Sequence, residues 1–377
     1  MEKKTATRLD IARRAGTSVS VVSRALNNSG YVAKEKKERI LKIAEELNYA
    51  PNPVAISLQK RRTKQILFYC KNVDNAFNIQ LYKGMLDEAA KRGYLVLFNG
   101  KVEFSDIRNT LVDGIIMQDE VIAAYYLKNY GKNYHLPVVS AAYGEAAGVG
   151  KRLGKAGGQA GRQTAPLVEV DTYRVMEAAL DWLEKRGHVR VAFGTPYPAD
   201  GGNVRTAAFL ARMYERGMKN AKDRVIAVSR KDPRLAEDPR LLSFREEVEE
   251  DINLVNEDYF GKGKLAARLF LERKLDATAV VGFNDEFSLG LIRGFQKQGI
   301  RVPEEISVMG IDGIDARKYV SPLLTTISLF PQEQGAMCVR VLLDLIEGKK
   351  VRHITHTGFR LMEGESVLPR AAAFRKR

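Results

Sequence analysis

Over the first fifty residues, apolar positions recur at helical spacing and are interrupted twice. Leu9, Ile11, Ala12 and Ala15 fall on one face of a helix, with Thr7 offering a hydroxyl where a cap would sit and Gly16 stopping the run. After Thr17 and Ser18, a second helix turns Val22, Ala25 and Leu26 inward and Val19, Ser20, Ser23 and Arg24 outward. A third stripe, Ile40, Leu41, Ile43, Ala44 and Leu47, predicts a helix over about 34–47. Helix, short turn, helix and a third helix make an all-α unit able to close a small core.

The period changes at Gln65. Short β-branched or apolar runs such as Ile66–Cys70, Tyr94–Phe98, Gly114–Met117, Pro137–Val139, Val189–Phe193, Ala279–Phe283 and Ile306–Gly310 alternate with helical patterns. Strand, helix, strand at this spacing predicts doubly wound parallel α/β sheets, whose ligands sit at the C-terminal ends of strands. A body of about 300 residues is too large for one sheet layer and predicts two sheets with a cleft between them. Between head and body, residues 51–64 are too short and too basic for a core helix and read as a hinge that folds against a partner. Lys219–Glu250 is expected to be helical with variable connections.

Charge narrows the function. Of a formal net +15, residues 1–62 carry fourteen basic and six acidic side chains, a net of +8, so the excess gathers where the small helices are. That favours an anionic partner such as nucleic acid. The second helix starts with small residues and carries Arg24 a turn and a half in, which suits a helix laid by its N-terminal end into a major groove. Arg24 is the residue there able to grip a guanine edge with two hydrogen bonds. The two cysteines, Cys70 and Cys338, lie far apart in apolar surroundings and read as buried thiols. The four histidines are scattered; no metal-ligand spacing and no Gly-x-Ser-x-Gly is present. No enzyme, metal or cofactor is therefore expected. Nor does any stretch reach the roughly 18 to 20 uncharged apolar residues that span a bilayer. No membrane contact is expected, and the cytoplasm is the expected location.

The string Leu9 to Asn27 (LDIARRAGTSVSVVSRALN), followed by Leu47-Asn48-Tyr49-Ala50-Pro51-Asn52, resembles the head of the lactose/galactose-repressor family of transcription regulators. The resemblance implies a homodimer on a near-palindromic operator, with Val19, Ser20 and Arg24 at base edges. Thr7, Ser18, Ser23, Asn27, Tyr49 and Asn52 would then contact phosphates and set register. In that family the hinge becomes a helix only on DNA and wedges a leucine between base pairs, the position of Leu58 here. Two departures stand out: Thr17 replaces the usual valine, and Ala33 the serine that usually caps the third helix.

The body is similar to the periplasmic sugar-binding fold through Leu111–Ile116, Val168–Asp171, Arg186-Gly187-His188, Phe283–Glu286, Val302–Asp312 and Pro322–Ile327. The fold expected is thus an all-α helix-turn-helix head, residues 1–50, a hinge, 51–64, and a two-subdomain α/β body, 65–371. The expected N-subdomain is about 65–188 plus 328–348 and the C-subdomain about 189–325 plus 349–371. The resemblance further implies a small-molecule effector, a sugar or sugar derivative, held by Arg205, Asn284 and Asp312, with Phe77 as an apolar wall. From the residues alone, Asn284 and Asp285 could equally cap the next helix, Arg205 pair with Asp312, and Phe77 belong to a core. The function expected is transcriptional regulation, as a repressor, under control of that effector. The alternative is control by a protein partner docking on the body, for which the basic, glycine-rich segment Gly148 to Thr164 is a candidate.

Overall fold

The computed structural model describes residues 6–51, 57, 62–71, 74–100, 104, 110–131, 136–143, 165–229 and 258–370. Asn52, Leu58 and the glycine-rich segment fall outside them, as does most of Lys219–Glu250. The chain divides into two compact units, Met1–Thr63 and Lys64–Arg377.

The first unit is three helices, α1 (Arg8–Ala15), α2 (Val19–Asn27) and α3 (Lys34–Glu46). Thr7 and Asp10 form a reciprocal capping box at the start of α1, and Gly16, at φ 60°, ends it in the left-handed conformation. Ser18 caps α2 by accepting the Val21 N–H at 3.4 Å. The cap of α3 is Ala33, which gives that helix no side-chain hydrogen bond. Ile11, Ala12, Ala15, Val22, Ala25, Ile40, Ile43 and Ala44 form the core. Leu9 and Leu41, expected inside, stand exposed, because a bundle this small has room for one residue per turn on each face.

The second unit holds two six-stranded sheets. Sheet one contains β1 (Gln65–Tyr69), β2 (Leu95–Asn99), β3 (Gly114–Met117), β4 (Val138–Ala141), β5 (Leu167–Val170) and β11 (Ile354–Thr357), in the order β11-β5-β4-β3-β1-β2, parallel throughout. Sheet two contains β6 (Val191–Thr195), β7 (Val225–Ala227), β8 (Ala279–Gly282), β9 (Ser307–Asp312), β10 (Thr325–Ser328) and β12 (Arg360–Met362), in the order β12-β10-β9-β8-β6-β7, with only β12 antiparallel. The inner strands are buried on both faces: in β1, Ile66 and Phe68 enter one core and Leu67 and Tyr69 another. That is why these strands read as unbroken apolar runs.

Helices α4 (Ala76–Lys91) and α10 (Pro331–Ile346) pack on sheet one; α6 (Thr172–Lys185), α7 (Val204–Glu215), α8 (Tyr259–Glu272) and α9 (Asp285–Lys297) pack on sheet two, and α5 (Glu120–Tyr126) on the far side of sheet one. Each half has one crossing that only glycine permits. A methyl at Gly84 of α4 would lie 1.9 Å from the Gln332 carbonyl oxygen of α10, and one at Gly290 of α9 would lie 2.1 Å from the Phe260 carbonyl oxygen of α8.

The chain crosses between the sheets at points other than those expected. Helix 172–185, expected with the N-subdomain, buries Val175, Met176, Ala179, Leu180 and Leu183 in the core of sheet two. Residues 354–357, expected with the C-subdomain, extend sheet one beside β5, and 325–328 lie wholly in sheet two. An apolar stripe says that a helix has a buried face, but which of two similar sheets it covers is decided by chain connection. The strand Val225–Ala227 interrupts the stretch expected to be helical.

Candidate nucleic-acid interface and ligand cleft

Helix α2 carries its polar side chains on the surface away from the head core. Val19, 41% exposed, Ser20 and Arg24 all face solvent. Arg24 folds its aliphatic stem toward Gly30, where an added methyl would stand 3.3 Å from Cδ. The expected phosphate contacts surround this face in two states. Thr7 and Ser18 are committed to caps, Thr7 donating also to Asp10 Oδ2 at 2.6 Å. Ser23 and Tyr49 instead accept hydrogen bonds, Ser23 Oγ from Asn27 Nδ2 at 3.3 Å and from Arg8 Nη1 at 3.4 Å, and Tyr49 Oη from Arg8 Nε at 3.2 Å. Arg8, a residue the sequence reading passed over, thus joins Ser23 to Tyr49, and Asn27 bonds to the same Ser23. Its only signal was a cation opening α1 where the amphipathic pattern needs none.

In the body, Arg205, Asn284 and Asp312 lie at the C-terminal ends of sheet-two strands and Phe77 at the start of α4, and all four are 3–6% exposed. Arg205, in the first turn of α7, donates from Nη2 to Asp312 Oδ1 at 2.8 Å and from Nη1 to the Phe283 carbonyl oxygen, and lies 4.9 Å over the Phe283 ring. The Phe283 ring is flanked by Tyr197 and Tyr259, at 5.2 and 5.8 Å between centroids. Asn284 caps α9, its Oδ1 accepting the Phe287 N–H at 2.8 Å. Phe77 packs 5.9 Å from Tyr143 and enters the hydrophobic core of the second half. Each of the plainer alternatives open at the sequence level, pairing, capping and core packing, is realised.

Asp312 is held at φ 140°, a conformation side chains rarely adopt, and the turn that follows is gripped by Asp285. The Asp285 carboxylate accepts the Gly313 and Ile314 N–H groups at 2.8 Å each and the Thr326 hydroxyl. Complete burial and the neighbouring Asp312 push its carboxyl up to about 7. Burial also raises Asp312, against which Arg205 pulls down. Glu286 reaches across the cleft to the start of α4, accepting the Ala76 N–H at 3.4 Å and Asn75 Nδ2 at 3.5 Å. Burial raises its carboxyl as well. Phe283, Asp285 and Glu286 flank Asn284 in sequence but were not among the expected effector contacts. The constellation presents carboxylate acceptors, a guanidinium and aromatic walls, which suits a polar ring bearing hydroxyls. Among the described residues, no group of three or more His, Cys, Asp or Glu side chains could hold a metal, and no helix is long and apolar enough to cross a membrane.

Residues 7–52 match the model of bacterial regulatory proteins of the lacI family, and residues 180–367 that of a periplasmic binding protein-like domain. The chain is 27% identical over 356 residues to the HTH-type transcriptional repressor PurR of Vibrio atlanticus (strain LGP32), covering 91% of this chain and 93% of that protein. It superposes on the lac repressor dimer bound to operator and the anti-inducer ONPF with a TM-score of 0.72 at 21% identity, covering 97% of this chain and all of the other. A LacI family transcriptional regulator from Enterococcus faecium with bound ribose matches with a TM-score of 0.61 at 21% identity, over 81% of this chain and all of that one.

Proposed function

The chain belongs to the lacI family of bacterial regulatory proteins, its head joined to a periplasmic binding protein-like body, and on that premise we propose a transcriptional repressor whose hold on DNA is set by a small molecule in the body cleft. Val19, Ser20 and Arg24 read base edges in the major groove, while Thr7, Ser18, Ser23, Asn27, Tyr49 and Asn52 fix the register on phosphates. Leu58 of the hinge wedges the minor groove. The functional unit is a homodimer on a near-palindromic operator, working in the cytoplasm and catalysing no reaction. The observation that carries this reading is a recognition helix that faces Val19, Ser20 and Arg24 to solvent on a capped, closed three-helix core.

The effector is a sugar or sugar derivative, bound by Asp312, Arg205 and Asn284 against Phe77. The ribose-bound relative supports that chemical class. Since the Arg205 to Asp312 pair is already closed, a ligand exchanges its hydroxyls for contacts the protein makes with itself. Coupling to DNA follows if the ligand prefers one closure of the two sheets by a few kcal/mol.

Two measurements test this. Selection from a randomised duplex pool should enrich a near-palindromic sequence; enrichment of nothing would sink the regulator reading. A melting screen against sugars, sugar phosphates, nucleosides and polyols should find one class that raises the midpoint. Asp312→Asn should lose that response. If no compound moves the midpoint, the sugar assignment falls and a protein partner takes its place.

A further inference from the structure

Arg8 opens α1 on the surface of the head, partly buried, with its guanidinium spanning two hydroxyls: Nε to Tyr49 Oη and Nη1 to Ser23 Oγ. Among the described residues it makes no ion pair, whereas Arg14 on the same helix pairs with Glu46 at 2.7 Å. It borders a concave pocket of about 450 Å³ lined also by Asn27, Glu45, Asn48 and Tyr49.

The direction of the hydrogen bonds decides what the pocket can bind. Arg8 and Asn27 both donate to Ser23 Oγ, and Arg8 donates to Tyr49 Oη. Each hydroxyl is therefore engaged as an acceptor, leaving its own proton available for donation. Two hydroxyl donors and the remaining guanidinium N–H groups thus lie together around Arg8, a set that suits a ligand that only accepts and carries negative charge.

We propose that Arg8 is a further DNA-binding residue, the cation of a phosphodiester seat completed by the Ser23 and Tyr49 hydroxyls. This rests on the DNA-binding reading above and adds to it a specific charge contact. Arg8 does two things at once: it neutralises one backbone phosphate, and it turns Ser23 and Tyr49 into donors aimed at that phosphate. A backbone seat carries no sequence information, so its loss should weaken binding alike on all good sequences.

The test uses the full-length chain and the duplexes it enriches from a randomised pool, with affinity measured across a salt series for wild type, Arg8→Gln and Tyr49→Phe. Arg8→Gln should weaken binding to every enriched duplex by a similar factor, leave their ranking unchanged, and flatten the slope of log K against log salt by about 0.9 for each head on the DNA. Tyr49→Phe should weaken binding uniformly while leaving the slope in place, since it removes a donor but no charge. A wild-type slope in Arg8→Gln, or a loss confined to some sequences, would overturn the seat. If Arg8→Gln melts the head, Tyr49→Phe decides, and unchanged affinity there overturns it as well. Failure of the wild-type chain to enrich any duplex is a separate result, which removes the DNA-binding reading and this proposal with it.

Discussion

In the head, the side chains assigned to recognition stand outside a small core, with Val19, Ser20 and Arg24 in solvent. In the body their counterparts are almost wholly buried and already bonded to one another, Arg205 to Asp312, Asn284 to its own helix and Phe77 to the opposite half. A partner of the head adds contacts to side chains standing in solvent, Val19, Ser20 and Arg24 among them, so binding there registers as charge neutralisation and salt dependence. A ligand of the body has to replace contacts, so binding there is entangled with stability and with the protonation of buried carboxyls.

The contrast is sharpest for two arginines. Arg205→Ala should destabilise the body by about 3–5 kcal/mol, because it strands the Asp312 carboxylate in the interior without its cation. Trp182, the chain's single tryptophan, lies in the body and reports that unfolding by fluorescence in denaturant. Arg24→Ala should move stability by less than about 0.5 kcal/mol and yet erase sequence preference in a duplex competition. Equal midpoints for the two variants would break the comparison.

The second effect concerns pH. The folded Asp285 carboxyl sits near 7 against an ordinary 3.8, so between those values the folded state holds a proton that the unfolded chain has released. Its contribution to stability is complete below about 3.8 and is lost as pH rises through about 7. Melting of the body should therefore decline across that window, and Asp285→Asn should flatten the decline. An identical profile in the variant would refute the assignment.

Smaller changes separate the two units. Gly290→Ala should cost the body about 1–3 kcal/mol through overpacking against Phe260, without touching the head. Ala33→Ser should stabilise the head by about 1 kcal/mol by restoring a missing cap, seen as a rise in the helical melting transition at unchanged Trp182 fluorescence.

Much of this architecture was legible in the chain because it rests on local rules. The capping box at Thr7, the stop at Gly16 and the apolar stripes of α2 and α3 place the head helices to within a residue or two. Strands buried on both faces announce parallel sheets. What stayed hidden depends on tertiary choice. Nothing local to residues 172–185 or 354–357 says which of two like sheets they join, and the three-residue strand Val225–Ala227 is too short for any periodicity to show. The role of Asp285 needed the turn after Asp312 to be folded first, and that of Arg8 needed Ser23 and Tyr49, 15 and 41 residues away, brought beside it.

The glycine crossings of α4 on α10 and of α8 on α9 have a mechanical consequence. Where these helices meet backbone against backbone they resist sliding past one another, so each half of the body behaves as a stiff plate. Compliance is then left to the three strands of chain that run between the plates, near residues 171, 329 and 358. A force applied at one end of the body is carried by the plates and spent as bending in those connectors, so substitutions there should alter how far the halves tilt without altering what either half binds.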